Sequence, residues 1–312
     1  MTAPTDTQAA AGVAVPAPAK AVTEKPGSPG PAIRAVLRTD PAIPPPDAAL
    51  LAADPGAPGV MLPRIGADGL QPMQAYAAVP PPADGRPMVA MVVSGLGLAA
   101  ADSEVAIDKL PAAVDLAFSP YAVAPDDLLA QARAHGHEIL VSIPMEPQGY
   151  PLNDPGNHAL LVANSPAQNL AALDWALARI PGAVGAIGAL DGMRGERLAA
   201  TPTAFDAMQR ALAGRGLLYL DPRPGAPAPV LASGRSVDVV VDEPPDPAAI
   251  DAALARLEAR ARAHGSALGL AGPLRPATLR HLIAWATGLG ARGLLLVPAS
   301  AIAGRPAGVA AE

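Results

Sequence analysis

Cysteine is absent from the 312 residues, which excludes disulfides, thiolate zinc sites and cysteine nucleophiles. Aromatics are scarce, with two Phe, four Tyr and two Trp. No basic stripe interleaves with them, so nucleic acid is not an expected partner. No apolar run reaches the ~18–20 residues needed to cross a bilayer, so no transmembrane segment is expected. Charge of one sign is nowhere concentrated, because the formal net charge of −6 comes from interspersed acids and bases. The opening residues, MTAPTDTQAA, carry neither a basic nor an apolar region, so no signal peptide is expected in them. Histidine is also sparse, five in all, and none shows His-x-x-x-His spacing.

Proline, by contrast, is plentiful and unevenly placed. Eighteen of the 39 prolines fall in residues 1–87, where Tyr76 is the only aromatic. Such a stretch buries too little apolar surface to offset its ordering entropy. The expectation is a disordered Pro/Ala-rich tail over 1–86, one folded domain over 87–303 and a short C-terminal tail over 304–312.

From residue 88 onward, short apolar runs alternate with helical patterns. The runs fall at 88–93, 114–118, 138–143, 183–187, 217–220, 237–241, 266–270 and 293–297. Between them, 101–110, 126–134, 166–180, 202–213, 247–263 and 276–289 carry apolar residues at helical spacing. Ser165 before Pro166 and Thr201 before Pro202 read as N-caps followed by proline in the first turn. This alternation predicts an α/β fold, a deformed (β/α) barrel of seven or eight parallel strands. An open doubly wound sheet is the rival. In both, functional groups gather at the C-terminal strand ends. The connection over 144–164 is unusually long, as functional loops often are.

The run "VVSGLGL" at 92–98 has the outline of a dinucleotide-binding turn. That fold needs an acid at the end of the second strand, and here the strand ends in Phe118, Ser119 and Pro120. Nor is it a nucleophile elbow, since Val92 stands where Gly-x-Ser-x-Gly requires glycine. Of the five histidines only His158, in the long loop, can approach Ser94. The strand-tip acids Glu146, Asp154, Asp191, Asp221, Asp242 and Glu243 can line a cleft, or serve as turn and cap residues.

Taken together, "VAMVVSGLG", "AFSPYA", "GHEILVSIPMEPQGYPLNDPG" and "LGLAGPLRP" resemble the divergent polysaccharide deacetylase family. The resemblance runs from about residue 88 to 303. It implies a deformed (β/α) barrel, a periplasmic or cell-envelope setting, a peptidoglycan-type glycan as substrate, and a metal held by Asp and two His. The chain departs from that pattern where the metal chemistry would sit. Ser94 and Gly95 replace an acidic pair, Gly188 and Ala189 an Asn/His-rich motif, and Gly272 the histidine of Gly-His-Pro.

A degenerate site is therefore expected, with no metal ligands and no cofactor. Such a protein would be weakly active, or would bind glycan or an envelope protein partner. Glu146 and Asp221 are the candidate catalytic residues should a carboxylate-based hydrolase survive. Ser94, Tyr121, Asp154, His158, Asp191 and Arg223 are the candidate substrate-binding residues. A non-catalytic envelope scaffold is the further alternative.

Overall fold

The computed structural model describes residues 1–2 and 41–304. Its first elements lie inside the stretch expected to be tail. A 3-10 turn, Ala48–Leu50, leads into β1 (Leu51–Ala53), which pairs antiparallel with β2 (Met61–Pro63). One helical turn follows, α1 (Pro72–Ala75). Ile43, Leu50, Leu62 and Tyr76 are all buried. Ile43 N donates to Arg133 O at 2.8 Å, and the Tyr76 hydroxyl accepts from Asp47 N at 2.8 Å. The domain boundary expected at residue 86 is corrected by this packing, which begins by residue 43. Residues 3–40 of the expected tail, and 305–312 of the C-terminal one, lie outside the described residues.

The barrel strands are β3 (Met88–Leu96), β4 (Val114–Phe118), β5 (Ile139–Ser142), β6 (Gly185–Ile187) and β7 (Leu218–Asp221). Each pairs in parallel with the next. β8 (Gly234–Ser236) pairs with β7, while β9 (Val239–Val240) pairs with β10 (Ser266–Ala271), which returns to β3. The residues between β8 and β9 make the same switch. Val237 N bonds Asp221 O and Asp238 N bonds Leu268 O, so one short stretch links both edges of the sheet. β11 (Leu295–Leu296) pairs with the start of β3 at Met88 and Val89.

Parallel strands need crossovers, and helices supply them. They are α2 (Ala100–Lys109), α3 (Asp126–Ala134), α4 (Pro166–Arg179), α5 (Glu196–Ala199), α6 (Pro202–Gly214), α7 (Pro247–His264) and α8 (Pro276–Gly288). At α4 the Ser165 hydroxyl accepts from Gln168 N at 3.3 Å, and Gln168 Oε1 accepts from Ser165 N at 2.8 Å. This is a complete capping box. Thr201 takes the N-cap position of α6 without a side-chain cap. Its hydroxyl instead donates to Arg197 O at 3.3 Å, one turn back in α5.

Two apolar layers follow from the strand period of two. On β3, Val89, Met91 and Val93 pack outward on the helices, while Ala90 and Val92 face the barrel axis. At the N-terminal end the axis is closed by two fully buried acids, Asp115 of β4 and Glu138 just before β5. Ala299 N donates to Asp115 Oδ2 at 2.9 Å, and Ala78 N to Glu138 Oε1 at 2.9 Å. The Ser300 hydroxyl also bonds Glu138. These contacts tie the N-terminal segment and the 3-10 turn Ala299–Ala301 to the floor.

Candidate functional site

The C-terminal mouth of the barrel is built from tight turns. Ser94 is the last axis-facing residue of β3. It is buried, and its hydroxyl donates to Ala271 O at 3.3 Å. Gly272, at φ +151°, presses directly on Ser94, so a Cβ on Gly272 would collide with the Ser94 Oγ. Gly95 has φ +91°, and a Cβ there would lie 2.9 Å from Leu274 N. At Gly188 a Cβ would meet Met145 Sδ at 2.7 Å and the Tyr219 hydroxyl at 2.8 Å. The Tyr219 hydroxyl is fully buried beside that sulfur, 3.9 Å away, and burial pushes its pKa well up.

Four strand-tip acids are engaged by arginines. Glu146 is buried, its Oε2 accepting from Val162 N at 2.5 Å and its Oε1 facing Arg197 Nε at 3.0 Å. Both oxygens thus hold the long loop and α5. Asp221 is gripped by Arg223, at 2.9 Å from Nε and 2.6 Å from Nη2, and that guanidinium lies over the Phe205 ring at 5.4 Å. Asp242 is fully buried. It accepts from Gly272 N at 3.1 Å, with Arg275 at 3.5 Å. Burial raises its pKa, against the lowering by Gly272 N and Arg275. Glu243 pairs with Arg194 at 2.7 Å.

Tyr121, Asp154 and Asp191 are brought together. They line an open cleft of about 390 Å³ over the tips of β3, β4 and β6, with Leu98, Ser119, Asn157, Leu190 and Met193. Asp191, at φ +49°, sits on a tight hairpin in which Leu190 and Met193 exchange backbone bonds at 3.0 and 2.9 Å. Asp154 lies in the long loop, its Oδ1 accepting from Gly156 N at 2.9 Å.

His158 does not approach Ser94. Its ring stacks on Trp175 of α4, 3.8 Å between centroids at 7°, and its backbone N donates to the Tyr121 hydroxyl at 3.2 Å. Trp175 also touches Tyr121, at 5.1 Å. The sequence reading did not single out Trp175, because no local pattern links this helix residue to the long loop. Neither Glu146 nor Asp221 lines the cleft.

The family resemblance implies a metal, and the residues present do not fit one. The glycines above leave no room for a ligating side chain, and Glu146, Asp221, Asp242 and Glu243 are each paired with an arginine. Among the described residues, no three His, Asp or Glu cluster as a metal site. A larger apolar groove of about 430 Å³ lies on the flank between α4 and α6, lined by Leu170, Leu173 and Met208 among others. Leu160 and Val162 of the long loop also line it, and none of its lining residues lines the mouth cleft.

The fold and site define a parallel (β/α) barrel protein with its polar groups gathered at the C-terminal mouth. More narrowly, it belongs to the divergent polysaccharide deacetylase family, whose model matches residues 91–303. A crystal structure of an uncharacterized protein from Agrobacterium tumefaciens C58 is 35% identical, covering 78% of this chain and 99% of its own, at TM-score 0.71. The catalytic domain of a peptidoglycan N-acetylglucosamine deacetylase from Eubacterium rectale ATCC 33656 is 12% identical, covering 76% and 99%, at TM-score 0.47. A family 4 carbohydrate esterase from Streptomyces lividans, in complex with acetate, is 13% identical, covering 67% and 91%, at TM-score 0.40. At those values neither of the last two bears on what this chain does. No curated protein matches.

Proposed function

We propose that this chain is a glycan-binding member of its family, acting in cell-envelope glycan metabolism without metal-dependent deacetylation. The observation that carries the reading is the interlock of Gly272 with Ser94. The two positions where the family pattern has a histidine and an acid are packed against each other, so a Cβ on one meets the hydroxyl of the other. Gly95 and Gly188 are closed in the same way. Beside these closed positions the cleft stays open and lined by hydrogen-bonding groups, as sugar hydroxyls require.

The rival, a hydrolase using Glu146 or Asp221, needs a carboxylate free to exchange a proton with substrate. Here both carboxylates are bound at two oxygens each, which favours the binding reading. Family resemblance supports the envelope setting; among the described residues no helix is long and apolar enough to cross a membrane.

The test pairs calorimetry on peptidoglycan fragments and chito-oligosaccharides with an acetate-release assay and elemental analysis. Binding is expected, with no acetate released whether or not zinc is added. Zinc that survives dialysis together with zinc-dependent acetate release would overturn the reading.

A further inference from the structure

We infer that the mouth cleft selects amino sugars carrying a free ammonium group over their N-acetylated counterparts. This rests on the glycan-binding reading above and names its ligand class. The starting point is a contrast in charge. Glu146, Asp221, Asp242 and Glu243 are each matched by an arginine. Asp154 and Asp191, the two acids that line the cleft, are in no ion pair among the described residues. No Lys, Arg or His lines the cleft either. Two carboxylates thus line one cleft that has no protein cation among its lining residues.

A second observation lies beneath them. Ser142, the last residue of β5, is fully buried, and its hydroxyl has no hydrogen-bond partner. By strand alternation it faces the barrel axis with Leu140, which belongs to the inner layer. Its strand lies between β4, which leads to Ser119, and β6, which leads to Leu190, and both of these residues line the cleft. Buried hydroxyls in native proteins are nearly always paired. A polar group of a ligand, or a water beneath it, would supply that partner.

The remaining groups suit a hexosamine. The Tyr121 hydroxyl accepts from His158 N, leaving its proton for a sugar oxygen. Leu98, 52% exposed, offers an apolar surface to the ring's C–H face. An ammonium group turns the two acids into charge-assisted partners. An N-acetyl group offers a single neutral N–H, a weaker partner for a carboxylate than an ammonium group, and adds a methyl that finds no matching apolar pocket between the acids. Glycans with free amines arise by N-deacetylation, so the ligand would be supplied by a reaction of that class.

The experiment titrates the full chain, at neutral pH and low salt, with glucosamine and N-acetylglucosamine oligosaccharides of equal length. The free amine is expected to bind at least about tenfold tighter, a difference of about 1.4 kcal/mol. The preference should shrink as salt is raised. Asp191→Asn and Asp154→Asn should each remove most of it; the Asn at 154 keeps an oxygen for Gly156 N, so the turn survives. Equal binding, or tighter binding of the acetylated oligosaccharide, would overturn the inference while leaving the glycan reading intact. A preference that persists in the double variant would assign it to bulk protein charge and also overturn it. If neither oligosaccharide binds, the glycan reading itself fails.

Discussion

Glu146 stands between Pro144 and Pro147 just past β5, and on sequence alone that position makes it an attractive acid. Its role is set by partners the sequence does not place beside it, Val162 N sixteen residues on and Arg197 fifty-one residues on. Glu146→Gln keeps one acceptor and loses the charge. It should lower stability by roughly 1.5–3 kcal/mol, the range of a charge-assisted hydrogen bond to backbone. Thermal melting should show this while glycan binding stays unchanged, and an unchanged melt with weakened binding would return Glu146 to the site. Gly272→Ala should also destabilise, by about 1–3 kcal/mol, since it strains a backbone at φ +151° and meets Ser94. Adding Ser94→Gly removes the hydroxyl it strikes, so the double variant should melt above the Gly272→Ala single, a coupling expected of touching residues. Legibility at this scale was uneven. That Tyr121, Asp154 and Asp191 share one cleft is legible from their places, two just past strand ends and Asp154 in the long loop. The place of His158 is not, because its ring lies on Trp175, a helix residue that no local pattern links to the loop.

At the scale of elements, the barrel was legible because buried parallel strands and capped helices each have their own period. β8 was not foreseen, since Gly234–Ser236 has no apolar pattern and pairs only because the chain crosses there from β7 toward β10. The N-terminal segment was misread for a related reason. Its few apolar residues are spaced by prolines and show no period, yet Leu50, Leu62 and Tyr76 each fill a place against the barrel. Deleting residues 1–86 should therefore lower the melting temperature markedly, and limited proteolysis should leave a fragment that starts upstream of Ala48. A stable fragment starting at Pro87 would contradict the packing. At α4, Ser165→Ala should cost about 1 kcal/mol, the usual loss of a side-chain N-cap. Thr201→Ala should cost less, because the Thr201 hydroxyl makes no cap bond to α6 and only a long one, 3.3 Å, to Arg197 O.

For the whole molecule, the barrel floor makes stability depend on pH. Burial pushes the pKa of Asp115 well up, reinforced by the neighbouring charge of Glu138, and burial raises Glu138 as well. Asp115 Oδ1 has no donor among its neighbours, yet it faces Glu138, so one shared proton completes the contact. The folded chain holds that proton above the ordinary carboxylate range of about 4, where the unfolded chain has released it. More protons in the folded state means that stability is full below pH 4 for this pair and falls as pH rises toward the raised value. The limiting slope is about 1.4 kcal/mol per pH unit for one proton. His137, buried between Val114 O and Ile107 O, acts with the opposite sign. Burial lowers its pKa, so its contribution is lost as pH falls. A wild-type curve mixes these with other shifted groups such as Asp242, and a difference isolates the floor. Asp115→Asn offers an oxygen to Ala299 N and an N–H to Glu138, with no proton to lose. Denaturant titrations of both proteins from pH 5 to 9 should show the variant gaining on the wild type as pH rises. Parallel curves would mean that the floor carries no shared proton, and the stability of this barrel would then have to be set by its apolar layers alone.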